Sequence, residues 1–347
     1  MRSTFKCLAW LLLLSVSPIA DAQIQSSLEY DVYFLGGQSN AAGRGDASEL
    51  PNIDGGIYDG LQTDVQFYWR KTLVSSNGNL TQNQFLPLQP DSGQGLNNPP
   101  GSAVEYGPEI AMGRTLADAF PDRNIVIIKY AHGGSNLHTQ WAAGGSMYNT
   151  FISVVTDSLA DITNAGATFN LRGFAWVQGE ADAGQTTNSL NYEANLTNLI
   201  SRVRTDVFGG EQAQIVVSRL SVNQYNNLGN GQLNVRAAQV AVAEADSAVE
   251  WLDSDGAEFS TYNINNPIHF DTIGVISMGQ AFGEAFVSAE SLLGDVNCDQ
   301  SVDFLDISPF IDLLSSGEFN AKADTNVDGA VDFFDISSFI ALLSTGA

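Results

Sequence analysis

Cysteine is nearly missing from this chain: Cys7 and Cys298 are the two among 347 residues. Cys7 lies in a segment that reads as removable, which leaves Cys298 alone and excludes an intrachain disulfide. The fold must therefore rest on an apolar core and, in one region, on metal. Basic residues are scarce as well. Fourteen Lys and Arg stand against 39 Asp and Glu, for a formal net charge of −25. A surface of that sign repels phosphate backbones and argues against a nucleic-acid partner. Long apolar runs are lacking too. The longest candidate, residues 8–16, falls short of the ~20 residues needed to cross a bilayer's hydrocarbon core. With Arg2 and Lys6 ahead of it and Ala20-Asp21-Ala22 behind, it reads as the centre of a signal peptide over residues 1–22. The mature chain is then expected to be soluble, not membrane-spanning, and secreted to the exterior or the periplasm.

What is present is an ordinary globular composition, 44% hydrophobic and 10% aromatic, sufficient for a sizeable core. Apolar runs at residues 30–35, 124–130, 171–177, 214–220 and 249–252 alternate with helical patterns at 108–120, 148–165, 192–207 and 235–245. The runs are continuous, as in strands covered on both faces. Strand and helix in repetition imply a parallel sheet between helical layers, with ligands at the carboxyl ends of the strands. Residues 77–102 are rich in Gly, Asn, Gln and Pro without a period, and read as an irregular insertion near that edge.

Each run leads into a polar or glycine-rich string. The first ends in Gly36-Gly37-Gln38-Ser39-Asn40, the second in His132-Gly133-Gly134-Ser135, and the third in Gln178-Gly179-Glu180-Ala181-Asp182. His269-Phe270-Asp271 comes late, before a final helix. A serine just past a buried strand, beside glycines that permit a sharp turn, is well placed as a nucleophile. Histidine occurs only at 132, 138 and 269, the first two around the second glycine string and the third late in the chain. Trp69, Trp141 and Trp176 are candidate sugar-stacking residues.

In these motifs, residues 30–290 resemble an SGNH hydrolase of the branch that includes sialate O-acetylesterases and plant-type acetylxylan esterases. The resemblance implies a three-layer α/β/α, flavodoxin-like domain over residues 27–292. It implies Ser39 as the acyl-accepting nucleophile and His269 as its base. The Ser39 N–H, an N–H of Gly133 or Gly134, and the Gln178 amide are the implied oxyanion donors, with Gln38 in the same oxyanion and substrate-binding set. Glu180 and Asp182 match the family's acidic pair, expected to order the site or to contact sugar hydroxyls. No cofactor is implied for catalysis.

One position departs from the pattern. The aspartate expected three residues before the histidine is Asn266. An amide can fix the imidazole tautomer but cannot stabilise the imidazolium by charge. Asn266 serves in that role, or a carboxylate from elsewhere (Glu180, Asp253 or Asp255) takes it, or the enzyme is weak. Glu180 and Asn266 are the favoured pair of alternatives.

From residue 293 the chain becomes a repeat with an offset of 29 residues, carrying nine Asp and one Glu against one Lys after residue 293. Loop positions 1, 3, 5, 9 and 12 are Asp295, Asn297, Asp299, Asp303 and Asp306, then Asp324, Asn326, Asp328, Asp332 and Asp335. Position 7 offers the backbone carbonyls of Ser301 and Ala330. Hard oxygen ligands at this spacing suit Ca²⁺. Each loop leads into an amphipathic helix, at 307–314 and 336–343. Residues 293–347 thus resemble a dockerin, a small all-α module held by structural Ca²⁺, for which a cohesin-type partner is one reading and a Ca²⁺-dependent stabilising or surface-attachment role the other. Phe304-Leu305 and Phe333-Phe334 stand where cellulosomal dockerins often have small hydroxyl residues. The expected whole is a secreted O-acetylesterase acting on acetylated polysaccharide or sialic acid. The alternative is a weakly active glycan-binding protein of the same fold. The polar 77–102 segment speaks against a lipase.

Overall fold

The computed structural model describes residues 24–70, 83–90, 105–224, 229–256, 268–290, 293–297, 302–316, 320, 322–326 and 330–345. The N-terminal elements in chain order are β1 (Glu29–Gly37), α1 (Ser39–Ala42), β2 (Gly45–Asp46), β3 (Gln62–Trp69), β4 (Phe85–Leu88) and β5 (Glu105–Tyr106). Then come α2 (Glu109–Ala119), β6 (Asn124–Ala131), α3 (Ser146–Asn164), β7 (Thr168–Val177), α4 (Glu180–Ala183), α5 (Thr186–Leu190) and α6 (Tyr192–Asp206). The domain closes with β8 (Gln214–Ser218), α7 (Gly229–Glu244), β9 (Val249–Leu252) and α8 (Thr272–Glu290). The repeat region contributes α9 (Ile307–Ser316) and α10 (Asp335–Thr345).

Seven strands form one sheet in the order β4-β3-β6-β1-β7-β8-β9. All neighbours run parallel except β4, which pairs antiparallel with β3. Period-two alternation explains why the strands read as continuous apolar runs. Tyr30, Val32 and Phe34 of β1 enter the core on one face with residues of α3, α6 and α7. Tyr33 and Leu35 enter the core on the other face with residues of α2 and α8. Both faces are covered, so both sets must be apolar. Each such fully buried side chain contributes roughly 1.5–3 kcal/mol. β1 lies between β6 and β7, and the chain leaves β1 and β7 toward opposite ends of the sheet. The carboxyl ends of β1 and β7 therefore flank the switch point where ligands collect.

The sheet is larger than the sequence patterns imply. In β3 the polar Gln62, Asp64 and Gln66 interrupt the apolar run, while Val65, Phe67 and Trp69 bury one face. β4 falls inside the segment read as irregular, held to β3 by the pairs Phe67–Leu86 and Tyr68–Phe85. Its neighbours at 77–82 and 91–102, and the expected signal peptide at 1–22, lie outside the described residues.

Candidate active site

β1 ends in a forced turn. Gly37 has φ +142°, and a Cβ there would stand 2.0 Å from the Val177 carbonyl oxygen. Only glycine lets the chain pass so close to the end of β7. Gln38 N–H then donates to that same carbonyl at 2.9 Å. The next four residues make the single turn α1, closed by Ala42 N–H to Gln38 O (2.8 Å) and Gly43 N–H to Ser39 O (2.9 Å). Ser39 is buried but for 6% of its surface, and its Oγ lies 2.9 Å from His269 Nε2. Two residues 230 positions apart thus meet at the switch point. Burial, and then the nearby Arg44 charge, lower the His269 pKa to about 4. The imidazole is accordingly neutral at neutral pH and able to take a proton.

His269 is aimed by backbone clamps on either side of it. Asn40 Oδ1 accepts from Phe270 N–H at 3.2 Å, and Asn40 Nδ2 donates to the Ile268 carbonyl at 3.2 Å. Gln224 Nε2 donates to the same Ile268 carbonyl at 2.9 Å. Both amides also donate to Glu180 Oε1, from Asn40 at 2.5 Å and from Gln224 at 3.0 Å. Burial raises the Glu180 pKa, against the pull of these bonds, and its Oε2 is buried without a hydrogen-bond partner among the described residues.

Among the described residues, none of the carboxylates considered for the third place of the triad bonds the His269 ring. Glu180 makes no hydrogen bond to the His269 ring and is linked to the backbone beside it through the two amides. Asp253 is paired with Arg219, and Asp255 is held by Arg219, Arg236, the Ser221 hydroxyl and Val222 N–H. Neither bonds the imidazole. Asn266 lies outside the described residues. Among the described residues, the one hydrogen bond of the His269 ring is that to Ser39.

The other wall is the loop after β6. Asp182, fully buried, accepts from Leu137 N–H (2.7 Å), His138 N–H (3.0 Å) and Gln178 Nε2 (2.6 Å). Gln178 Nε2 also reaches the Ser135 carbonyl (3.1 Å) and Gln38 Oε1 (3.2 Å). Two amide protons thus face three protein acceptors, and Gln178 is 1% exposed. The expectation that this amide serves the oxyanion is corrected: it locks the two loops together. Gln38 is likewise buried, its Oε1 accepting from Gln178 and from Ala181 N–H at 3.3 Å. Glu180 and Asp182 order the site and are too buried to touch sugar hydroxyls. The N–H groups of Ser39, Gly133 and Gly134 have no protein acceptor among the described residues. Trp69, Trp141 and Trp176 are at most 1% exposed, so they are core residues and not sugar platforms. The Trp141 indole N–H instead donates to Ser135 Oγ at 2.9 Å, bracing the same loop. Asn40, Gln224 and Trp141 are the positioning groups that motif reading had left without this role.

The repeat region has its own small core of Val296, Phe310, Ala323 and Phe339, with the two phenyl rings stacked at 4.0 Å. Its two loops are built alike. Asp306 accepts from Asn297 N–H (2.9 Å) and Asp303 N–H (2.9 Å), and Asp335 from Asn326 N–H (3.0 Å) and Asp332 N–H (2.8 Å). Asp295, Asp306 and Asp335 are fully buried and Asp324 nearly so. Asp299, Ser301 and Asp328 lie outside the described residues, whereas Ala330 is described. Among the described residues no group of three or more Asp, Glu, His or Cys side chains gathers at metal-binding distance. Buried carboxylates fixed in a turn are nonetheless the donor chemistry that a hard cation requires.

Residues 29–288 match the family model described as carbohydrate esterase, sialic acid-specific acetylesterase, and residues 293–344 match the dockerin type I domain. A protein named as a probable carbohydrate esterase of Arabidopsis thaliana is 23% identical over 279 residues, spanning 79% of this chain and 97% of that protein. The crystal structure of an Arabidopsis thaliana protein superposes with a TM-score of 0.55 at 19% identity, covering 74% of this chain and 98% of the other. The structure of NanS gives a TM-score of 0.58 at 16% identity, covering 77% and 99%. These structural likenesses speak to the fold.

Proposed function

The chain belongs to the carbohydrate esterase family of sialic acid-specific acetylesterases and carries a dockerin type I domain, and from this we propose that it is a secreted serine O-acetylesterase acting on acetylated polysaccharide or sialic acid. The 2.9 Å contact between Ser39 Oγ and His269 Nε2 carries the reading. In it, Ser39 Oγ attacks the acetyl carbonyl carbon while His269 Nε2 takes the hydroxyl proton. The carbonyl electron pair moves onto oxygen, received by the N–H groups of Ser39 and of Gly133 or Gly134. The pair returns, the bond to the sugar oxygen breaks, and His269 protonates the departing hydroxyl. Water then repeats the sequence on acetyl-Ser39 and releases acetate. Asn40 and Gln224 keep the imidazole in line with the serine, with Glu180 as their common anchor. Among the described residues the pair stands as a dyad whose ring is oriented through its backbone, with Asn266 as the remaining candidate for the third place.

The dockerin loops would hold structural Ca²⁺ through Asp295, Asn297, Asp299, Asp303 and Asp306, and through Asp324, Asn326, Asp328, Asp332 and Asp335, with the carbonyls of Ser301 and Ala330. The cation supplies charge balance for the buried carboxylates and folding energy to a module with little core. The module's proposed partner is a cohesin-type protein. Phe304, Leu305, Phe333 and Phe334, all between 65% and 84% exposed, would lie at that contact.

The deciding experiment measures acetate released from acetylated xylan, O-acetylated sialic acid and 4-nitrophenyl acetate by the wild type and by Ser39→Ala. Release by the wild type and a loss of about 10³-fold or more in the variant is expected. No release from any substrate would favour the glycan-binding alternative, and release that survives Ser39→Ala would remove the mechanism.

A further inference from the structure

Behind the nucleophile turn lies a charged pair that the hydrolysis leaves unused. Lys129 is the one charged residue of β6, and both it and Glu109 are fully buried. Its ammonium donates to Glu109 Oε2 at 2.6 Å and to the carbonyl oxygen of Ala42 at 2.7 Å, and lies 4.6 Å from the centre of the Trp69 ring. Glu109 Oε1 in turn accepts from Gly107 N–H at 3.0 Å. Burial pushes the Lys129 pKa down and Glu109 pulls it back up.

As a stabilising device such a pair is inefficient. Desolvating two charges offsets their attraction, and apolar residues of similar volume often serve as well. Its position gives it a different use. Ala42 closes α1, a single turn with two backbone bonds of its own. The last carbonyls of a helix have no partner within it, and a cation is favoured beside them. The approach is close enough to constrain the neighbouring backbone. A Cβ on Gly107 would lie 2.5 Å from Glu109 Oε2, 2.6 Å from Lys129 Nζ and 2.9 Å from the Ala42 oxygen. Three polar atoms converge on a spot that only glycine leaves open.

We propose that Lys129 is a positioning residue for the nucleophile: anchored by Glu109 and the face of Trp69, it grips the Ala42 carbonyl and so fixes the turn that aims Ser39. The inference rests on Ser39 being the nucleophile. Two variants of the full chain test it. Lys129→Met with Glu109→Gln removes both charges at nearly constant volume. Gly107→Ala keeps both charges and drives a methyl group into the junction. The readouts are a thermal melt and the stopped-flow acylation rate with 4-nitrophenyl acetate, per titrated active site, separated from the ester's binding constant. A role confined to stability would alter the melt and the titratable fraction but not the rate per active site. Both variants are expected to acylate about ten- to a hundredfold more slowly, with binding changed less than twofold. A folded variant that acylates within twofold of the wild type overturns the proposal. Failure of both variants to fold overturns it as well, since the pair is then a core element. Wild type and Ser39→Ala run alongside. An acylation burst in the wild type that vanishes in Ser39→Ala, with variants as fast as the wild type, defeats the Lys129 inference alone. No Ser39-dependent burst in the wild type defeats the esterase reading and this inference with it.

Discussion

At the scale of single residues, the site depends on the protonation and aim of one imidazole. His269 must be neutral to accept the Ser39 proton, and its pKa is lowered to about 4. The kcat/KM profile is therefore expected to rise with pH through about 4 and to stay level toward neutrality, because only the deprotonated ring is active. Arg44 is part of the cause, its cation disfavouring a second positive charge nearby. Arg44→Gln should move the acid limb of the profile to higher pH. An unmoved limb would show that the guanidinium does not act on the ring. Asn40 sets the aim, bonding the backbone on both sides of His269. Asn40→Ala should lower kcat about ten- to a hundredfold with little change in KM, measured with 4-nitrophenyl acetate. Ser39 and His269 were legible from their motif positions. Asn40 stood in the same motif without a role, because its partners at 268 and 270 are remote in sequence. Gln224 carried no motif at all.

At the scale of elements, the turn after β1 concentrates the constraints. Gly37 combines φ +142° with a backbone contact that no side chain can share. Gly37→Ala should destabilise the domain by at least about 2 kcal/mol, read from the shift of a urea unfolding midpoint. A midpoint within error of the wild type would mean that the end of β7 can yield there. The buried strands were recognisable because two apolar faces leave a continuous apolar run. β3 was not, since Gln62, Asp64 and Gln66 dilute its pattern while the opposite face still packs. β4 was hidden by its surroundings, being four residues in a polar stretch paired by tertiary contact. Lys129 offered a signal in retrospect. A lone charge in an apolar strand must find a counter-charge, and the sequence could not say that it would be Glu109.

At the scale of the whole molecule, a large apolar domain and a small acidic one are expected to respond differently to calcium. The esterase domain draws on two extended cores, whereas the described part of the repeat region has one core cluster of four buried apolar residues. Chelation should melt residues 293–344 while ester hydrolysis persists. Calcium at about a hundred times its Kd should restore about 2.7 kcal/mol of stability to that module for each loop it fills. Two-transition calorimetry with and without chelator checks this, and a module transition indifferent to calcium would refute it. The sequence by itself determined the α/β class, the nucleophile and base candidates, and the in-register repeat. Each of those is a local pattern: a run, a motif or a spacing. Tertiary structure alone decided that Gln178 is spent on loop locking, that the three tryptophans are core, that Glu180 acts through Asn40 and Gln224, and that Lys129 stands behind Ser39. Those outcomes turn on which buried polar atoms find one another, and burial and partner choice are properties of packing between distant segments.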